Sequence, residues 1–267
     1  MRLSEINIYP VKSLGGIRLD EAVAEARGLR YDRRWMLVDG EGRFLSQREQ
    51  PRMAAIRIRM DGDGLVASCG AESVLVPFPD PGREPDRRVK VWSSSVKAVS
   101  YDEEIDRWFS QALAVDCRLV AMTERSIRRV NPFYAVRRSQ DQVSFADGYP
   151  LLLTGQGSLD ELNSRLSSPV TMDRFRPNLV VEGAAPFAED EWKKVRIGST
   201  VFHVVKPCAR CVITTIDQAT GVKTGPEPLK TLATFRSRGN KVIFGQNLIS
   251  DEPGGTLAVG DPVEVLE

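Results

Sequence analysis

Histidine and cysteine are scarce in this sequence, which has one histidine, His203, and four cysteines in 267 residues. A single imidazole excludes three-histidine zinc sites and the HExxH arrangement of metalloproteases. Four cysteines are too few for a disulfide scaffold in a chain of this length, and only Cys208 and Cys211 are close enough in sequence to act together. Any metal chemistry must therefore rely on few protein ligands.

Net charge and long apolar runs are also lacking. The chain has 37 lysines and arginines against 36 acidic residues, so no global field favours nucleic acid or an acidic membrane surface. Apolar stretches such as residues 151–153 are far shorter than the roughly 18 to 20 residues of a membrane-spanning helix. A signal peptide needs a continuous apolar run near the N-terminus, and here Glu5, Asn7 and Lys12 interrupt that run. The sequence predicts a cytoplasmic protein with neither nucleic-acid nor membrane partners.

Strand-like segments outnumber helical ones. Short runs of β-branched and apolar residues between turn signals predict strands over residues 3–9, 35–38, 54–58, 178–181, 194–205, 212–216, 241–248 and 262–266. Apolar side chains at three- and four-residue spacing predict helices over 102–113, over 158–166 with Ser158 as the N-cap, and after Pro226. This balance favours a β-rich α+β fold.

One basic segment separates the two halves of the chain. Residues 118–138 contain six arginines and one acidic residue, with Asn131-Pro132 in the middle. Such composition is typical of an irregular connection. The length fits one large or two small domains, so we predict a domain boundary between residues 120 and 135.

The segment KPCARCVITTID, residues 206–217, is the most distinctive local motif. Zinc is disfavoured because His203 is the only further candidate ligand and no second CxxC exists. A thioredoxin-like pair is disfavoured because residues 212–216 look like a strand, not a helix. A thiolate of Cys208 or Cys211 could instead ligate a soft metal centre that brings its own ligands. The alternative, that both cysteines are buried small hydrophobes, is about as well supported by spacing alone.

A second group of residues suits an anion. Lys12-Ser13 precedes two glycines, and Arg33 and Arg176 also lie beside turn-forming residues. Ammonium, guanidinium and hydroxyl groups together with free backbone N–H groups can hold a phosphate. Asp147 could accept hydrogen bonds from a heterocycle that bears several N–H groups. Taken singly, each of these charges is typical of a solvated surface residue, so only their joint occurrence is informative.

These motifs occur together in one family. The chain carries YPVKSLGG (9–16), DRRW (32–35), FRPN (175–178), PCARCVITTID (207–217), FGQN (244–247) and GDPVEVL (260–266). In this order they resemble MOSC-domain proteins. The resemblance is to the subgroup with an N-terminal MOSC β-barrel domain, which includes mitochondrial amidoxime-reducing components and bacterial reductases of N-hydroxylated bases.

The resemblance implies a fold and a cofactor. It implies a MOSC β-barrel over residues 123–267, an N-terminal β-barrel-like domain over residues 1–122 whose first strands can join the MOSC barrel, and a few helices. It implies a molybdenum cofactor, with Cys211 as catalytic residue and metal ligand. The implied cofactor-binding residues are Lys12, Ser13, Arg33, Asp147, Arg176, Asn178 and Arg210. At the level of the domain, the resemblance also extends to pyridoxal phosphate binding.

The activity implied is reduction of N-hydroxylated compounds (amidoximes, hydroxylamines and N-hydroxylated bases) to amidines or amines. A bacterial relative carries a C-terminal ferredoxin-like domain, whereas this chain ends just after GDPVEVL. We therefore expect a separate electron-donor protein: a ferredoxin, a cytochrome b5-like protein or a flavoprotein reductase. The alternative is a module that carries molybdenum cofactor or sulfur without reducing any substrate, as in the MOSC domains of molybdenum cofactor sulfurases.

Overall fold

The computed structural model describes residues 1–138 and 140–267. Over these residues the strands are β1 (Arg2–Ile8), β2 (Ile17–Leu19), β3 (Glu21–Glu25), β4 (Gly28–Leu29), β5 (Trp35–Val38), β6 (Arg57–Asp61), β7 (Gly64–Cys69), β8 (Glu72–Pro77), β9 (Arg87–Val91), β10 (Ser94–Ser100), β11 (Arg118–Ala121), β12 (Leu151–Gly155), β13 (Leu179–Glu182), β14 (Lys194–Ile197), β15 (Thr200–Arg210), β16 (Ser237–Arg238), β17 (Lys241–Ser250), β18 (Thr256–Ala258) and β19 (Val263–Val265). The α-helices are α1 (Glu103–Leu113), α2 (Gln156–Asn163) and α3 (Leu229–Phe235). Strands predominate, which confirms the β-rich α+β fold.

Nine strands of the described chain form the largest sheet. Its order is β19-β14-β15-β17-β12-β13-β1-β2, with β16 paired to β17. Only the β12–β13 pair in this sheet is parallel among the described strands. An antiparallel bridge joins Arg2 to Pro262, and the Leu3 N–H donates to the Asp261 carbonyl at 2.9 Å, so the sheet closes on itself. The first two strands thus belong to a sheet built mainly by the second half of the chain, while the boundary at residues 122 and 123 stays a prediction.

The first half also builds its own core beside this sheet. Strands β5, β11, β10 and β9 form a four-stranded sheet, and β6, β7 and β8 form a three-stranded one. Helix α1 packs between them, burying Ile105, Phe109 and Leu113 against Trp35 and Leu119. The helix begins as its sequence predicts, because the Asp102 carboxylate accepts a hydrogen bond from the Ile105 N–H at 3.1 Å.

The strand predicted over residues 212–216 is wrong. Val212–Thr215 is a short 3-10 helix, with Cys211 in extended conformation before it. The hydroxyls explain the difference: Thr214 Oγ1 donates to the Cys211 carbonyl at 3.0 Å and Thr215 Oγ1 donates to the Val212 carbonyl at 2.8 Å. These local bonds stabilise a tight turn in a segment whose β-branched composition favours a strand. Cys208 lies within β15, not in the turn.

Four further predicted segments differ from the observed elements. Residues 54–58 are split between the 3-10 helix Pro51–Ala55 and β6, and residues 194–205 form the hairpin β14–β15, not one strand. The segment 118–138 is irregular only after β11. Helix α2 begins after Gly155, not at Ser158, because Ser158 Oγ donates to buried Glu189 at 2.8 Å and makes no cap. That carboxylate also accepts the Gly155 N–H at 3.1 Å.

Candidate functional site

A cleft lies where β1 and β15 end and where β5, β12 and β13 begin. Its empty space, open mouth included, is about 850 Å³. The structure brings all eight predicted site residues to its wall: Lys12, Ser13, Arg33, Asp147, Arg176, Asn178, Arg210 and Cys211. Cys208, Arg48, Tyr149 and Thr214 line it as well. The predicted residues, which are up to 199 positions apart in the sequence, therefore share one site.

Three of these residues have a backbone conformation that is rare outside glycine. The φ angles of Ser13, Arg33 and Arg176 are 69°, 49° and 53°. Such conformations cost about 1–3 kcal/mol each and persist only where surrounding contacts hold them. Here the Arg33 N–H donates to the Tyr9 carbonyl at 2.9 Å, and the Arg176 N–H donates to the Asp173 carbonyl at 3.1 Å. The left-handed turns direct both arginine side chains to the cleft.

Tyr9 is the platform on which these two arginines rest. The guanidinium carbons of Arg33 and Arg176 lie 4.3 and 4.1 Å from the centroid of its ring. Cation–π contact of this kind is strongest where water is excluded, and Tyr9 is almost fully buried. Burial raises the pKa of Tyr9 to about 12, so the ring stays neutral. Sequence reasoning missed this residue, although it directly precedes the Pro-Val-Lys-Ser segment.

The two arginines differ in how their charge is balanced. Arg33 Nη1 donates to both carboxylate oxygens of Asp32, at 2.8 and 2.7 Å, and to Asn178 Oδ1 at 3.1 Å. Arg176 has no carboxylate partner among the described residues; its Nη1 donates to Gln218 Oε1 at 3.1 Å. Burial and nearby Arg33 lower the pKa of Arg176 to about 10, which leaves it charged at neutral pH. Its Nη2 is buried and has no hydrogen-bond partner in the described chain.

Asn178 is almost fully buried behind Arg33. Its Oδ1 accepts from Arg33 and from the Leu152 N–H at 3.1 Å, and its Nδ2 donates to the Asn7 carbonyl at 3.1 Å. The side chain thus ties β1, β12 and β13 together beneath the guanidinium. These contacts give it a positioning role for Arg33, and its predicted contact with a cofactor stays a prediction.

At the mouth of the cleft, Asp147 joins several cleft residues. Its carboxylate accepts from Lys12 Nζ at 2.6 Å and from Trp92 Nε1 at 3.2 Å, and it lies 3.5 Å from the Arg48 guanidinium. Burial opposes the charge of Asp147, but Lys12 and Arg48 outweigh it and hold its pKa below the usual range. Burial lowers the pKa of Lys12, against the opposing effect of Asp147. Arg48, which the sequence did not single out, also stacks on Trp92, with its guanidinium carbon 4.7 Å from the ring centroid.

Arg128 holds the loop that carries Asp147. Its guanidinium is buried and donates to three carbonyls: those of Ser144 at 2.8 Å, Ala146 at 2.5 Å and Asp147 at 2.8 Å. This arginine belongs to the basic segment that the sequence marks as a connection. Its role could not be read from the sequence because the three acceptors are backbone atoms 16 to 19 positions away.

Cys208 and Cys211 both reach the cleft as half-buried free thiols. Between them, Arg210 Nη1 donates to the Cys208 sulfur at 3.0 Å, and Nη2 donates to the Phe175 carbonyl at 2.6 Å. Arg210 Nε is buried without a partner in the described chain. Cys211 directly precedes the 3-10 helix, and its carbonyl accepts the Thr214 N–H at 3.1 Å. The two cysteines are therefore chemically distinct: among the described residues, Cys208 accepts a hydrogen bond from a guanidinium and Cys211 does not.

The donor set suits an anion that brings its own metal ligands. Across residues 1–138 and 140–267, no three histidine, cysteine, aspartate or glutamate side chains group together as a metal-binding cluster. The cleft instead joins thiols to guanidinium groups, two of which have buried N–H groups without partners. A phosphate on an organic cofactor can satisfy such groups. The residues thus fit a metal cofactor that needs one protein thiolate.

The chain is similar to known proteins over nearly its whole length. Residues 1–116 match the model of the MOSC N-terminal beta barrel domain, and residues 140–264 match that of the MOSC domain. Mitochondrial amidoxime-reducing component 1 of Mus musculus is 36% identical, over 99% of this chain and 82% of the mouse protein. The chain belongs to this family of two-domain MOSC proteins. The human protein of the same name is 33% identical with the same coverage.

A second kind of relative is similar to this chain over only part of the relative's own length. Molybdenum cofactor sulfurase of Oryza sativa subsp. japonica is 34% identical over 92% of this chain, which spans 32% of that protein. The name of this relative refers to the molybdenum cofactor. No helix in the described part of the chain is long and apolar enough to cross a membrane. The amidoxime-reducing relatives are named as mitochondrial, and the cytoplasmic location stays a prediction.

Proposed function

We propose that this protein is a molybdenum-cofactor-dependent reductase of N-hydroxylated compounds. One observation carries the proposal: the same cleft is lined by Cys211 and by guanidinium groups that have buried N–H groups without hydrogen-bond partners in the described chain. The reaction would consume two electrons and two protons: an amidoxime gives an amidine and water. The names of the relatives concern molybdenum and amidoximes, which favours this cofactor over pyridoxal phosphate.

The chain's own residues would bind and orient the cofactor. When bound, that cofactor supplies the two-electron redox chemistry. Arg176 and Arg210 offer unpartnered N–H groups to the phosphate, together with Ser13. Asp147, held by Arg128, offers acceptor oxygens to a heterocycle. Cys211 would supply the thiolate ligand.

The first experiment tests turnover and metal together. Protein purified from a host that makes molybdenum cofactor should contain molybdenum, and it should oxidise reduced methyl viologen continuously when benzamidoxime is added. Cys211→Ser should abolish turnover, because an alkoxide or hydroxyl replaces the thiolate at the metal. Cys208→Ser should retain most activity, since its sulfur contacts Arg210. Tightly bound zinc without molybdenum, or equal complete losses in both variants, would contradict the proposal.

The second candidate is a carrier of cofactor or sulfur that reduces no substrate. Its support is the similarity to a region of the rice molybdenum cofactor sulfurase. A carrier should release its cofactor to an acceptor apoprotein, or hold sulfur as a cysteine persulfide that cyanide removes as thiocyanate. It should show no turnover with benzamidoxime. Sustained turnover of many equivalents of benzamidoxime per chain would favour the reductase over the carrier.

A further inference from the structure

Two buried glutamine side chains form a pair behind the cleft. Gln47 and Gln218 are 171 positions apart in the sequence, and neither belongs to the residues that line the cleft. Gln47 is fully buried, and Gln218 is 8% exposed. Gln47 Nε2 donates to Gln218 Oε1 at 3.1 Å, and Gln218 Nε2 donates to Gln47 Oε1 at 3.0 Å. The two amides thus form a reciprocal pair, to which each half of the chain contributes one side chain.

The remaining N–H groups of the pair bind backbone carbonyls next to the cleft. Gln47 Nε2 also donates to the carbonyl of Ser13, at 2.8 Å, and Ser13 has a left-handed backbone conformation. Gln218 Nε2 also donates to the carbonyl of Ile216, at 3.2 Å, directly after the 3-10 helix that follows Cys211. An amide nitrogen carries two N–H groups, so all four N–H groups of the pair have an acceptor. The pair therefore joins the Ser13 turn to the turn that follows Cys211.

Gln218 Oε1 is also the acceptor that orients Arg176. Arg176 Nη1 donates to it at 3.1 Å, while the guanidinium carbon lies 4.1 Å from the centroid of the Tyr9 ring. Arg176 forms no ion pair with a carboxylate of residues 1–138 and 140–267, and Asp32 and Asp147 attract it only from a longer distance. A glutamine oxygen fixes the direction of the guanidinium and leaves its charge uncompensated. A glutamate at the same position would form an ion pair with it.

We propose that the Gln47–Gln218 pair is a positioning device for an anion: it holds Arg176 and the Ser13 turn in place and leaves the charge of Arg176 available to a phosphate group. This role rests on the cofactor-dependent function proposed above, and it adds two residues that set the geometry and the charge of the phosphate site. Both glutamines lie outside the cleft wall, so they act through Arg176 and Ser13 and do not contact the anion. The buried Arg176 Nη2, which has no partner in the described chain, is the group that the phosphate would reach.

Phosphate binding to the cofactor-free protein tests this role. The full chain is purified from a host that cannot make molybdenum cofactor, and the Kd of inorganic phosphate is measured by titration calorimetry at constant ionic strength. Gln218→Glu keeps an acceptor for Arg176 but adds a charge, and we expect Kd to rise about tenfold, the effect of one charge-assisted hydrogen bond. Gln218→Leu removes the acceptor without adding a charge, and we expect a rise of about threefold, the effect of one neutral hydrogen bond.

Gln142→Glu is the matched control. Gln142 Oε1 accepts a hydrogen bond from Arg27 Nε at 3.2 Å, and both residues lie outside the cleft wall. The substitution therefore adds the same charge to the same kind of glutamine–arginine contact at another place in the fold. We expect it to leave the Kd of phosphate unchanged.

The order of the two Gln218 variants is a result that a purely structural role would not produce. Glutamate is closer to glutamine in shape and hydrogen bonding than leucine is, so loss of packing or of hydrogen bonds would make Gln218→Leu the more damaging variant. We expect the reverse for phosphate binding, because only Gln218→Glu compensates the charge of Arg176. Equal rises of Kd in both variants, an unchanged Kd in Gln218→Leu, or an equal rise in Gln142→Glu would overturn the proposal. If Gln218→Glu does not fold, the Kd of Gln218→Leu decides alone.

The molybdenum content of the holoprotein separates this role from the reductase. Wild type that contains molybdenum and turns over benzamidoxime, with a Kd of phosphate that neither variant changes, would overturn the role of the pair and leave the reductase standing. Wild type without molybdenum, with the expected changes of Kd, would overturn the reductase and leave the pair as a positioning device for an anion. No measurable binding of phosphate by the wild type would overturn the role of the pair.

Discussion

At the scale of single residues, the basic side chains of the cleft differ in how much of their charge is neutralised. Arg33 is matched by the buried carboxylate of Asp32, and Lys12 is matched by Asp147. Arg176 and Arg210 have no acidic partner among the described residues and depend on neutral acceptors. The uncompensated charge therefore sits on the two guanidinium groups that also have unpartnered N–H groups. A dianionic phosphate, as in the proposed cofactor, would balance the charge of this pair.

Replacing Tyr9 tests whether the ring orients these arginines. Tyr9→Leu removes the aromatic face under Arg33 and Arg176, whereas Tyr9→Phe keeps it and loses only the 3.3 Å bond from the hydroxyl to the Pro177 carbonyl. We expect molybdenum and phosphorus content per purified chain to fall about tenfold in Tyr9→Leu, the effect of losing cation–π contacts in a buried site. Tyr9→Phe should stay near wild type. Equal losses in both variants would assign the role to the hydroxyl.

Replacing Asp147 tests the ion pair at the mouth through its pH dependence. The folded-state pKa of Asp147 is held below its unfolded value of about 4, so its stabilising effect is present above that pH and is lost as pH falls through the folded pKa. Asp147→Asn should lower the free energy of unfolding by about 1 kcal/mol at pH 7, a small amount because 60% of the side chain is exposed and solvent screens the pair.

Urea unfolding at pH 7 and at pH 3 measures that difference. The gap between wild type and Asp147→Asn should narrow at the lower pH, because the carboxylate of the unfolded wild-type chain becomes protonated below its pKa of about 4 while the folded one stays ionised. Asp20→Asn, at an exposed position outside the cleft wall, is the control and should show no gap at either pH. A gap that stays constant with pH would mean that the carboxylate acts through packing alone.

At the scale of elements, the amphipathic helix could be predicted and the cysteine turn could not. Helix α1 begins and ends within one residue of its predicted bounds, because its apolar spacing and its Asp102 cap are local signals. The 3-10 helix after Cys211 depends on hydrogen bonds from threonine hydroxyls to backbone carbonyls. The β-branched composition of the segment favours a strand instead. Helix α2 begins early because Glu189, distant in sequence, binds its first turn. Local sequence patterns therefore predict an element correctly where its signals are local. They fail where hydroxyl–backbone bonds or long-range contacts determine the structure.

The loop that presents Asp147 depends on one side chain. The planar guanidinium of Arg128 donates to three carbonyls. In Arg128→Lys a single ammonium takes its place, and it cannot reach all three. We expect a loss of about 2 kcal/mol in the free energy of unfolding, because buried carbonyls lose charged donors. Amide exchange in residues 144–149 should become faster, and cofactor content should fall. Arg125→Lys, on the exposed side of the same segment, should leave exchange unchanged.

At the scale of the whole molecule, the site exists only because both ends of the chain meet. Strand β1 pairs with β13 and bridges to Pro262, and the turn after it carries Lys12 and Ser13. The remaining cleft residues come from the second half, except Arg33 and Arg48. The motifs could be recognised in the sequence, but their meeting could not, since it depends on strand pairing across more than 170 positions. The two matched domains are thus joined by a shared sheet.

Expression of the two halves separately tests this dependence. A fragment of residues 123–267 lacks β1, whose Leu3, Ile6 and Ile8 are buried in the closed sheet. Burial of three such side chains contributes about 6 kcal/mol, comparable to the whole stability of many domains. We expect this fragment to lack a cooperative thermal transition by circular dichroism, and addition of the 1–122 fragment to restore one. The 1–122 fragment with Ile6→Asp should fail to restore it. A 123–267 fragment that melted cooperatively alone would contradict this dependence. The second half would then fold without β1, and the strand would only add contacts to a sheet that is already formed.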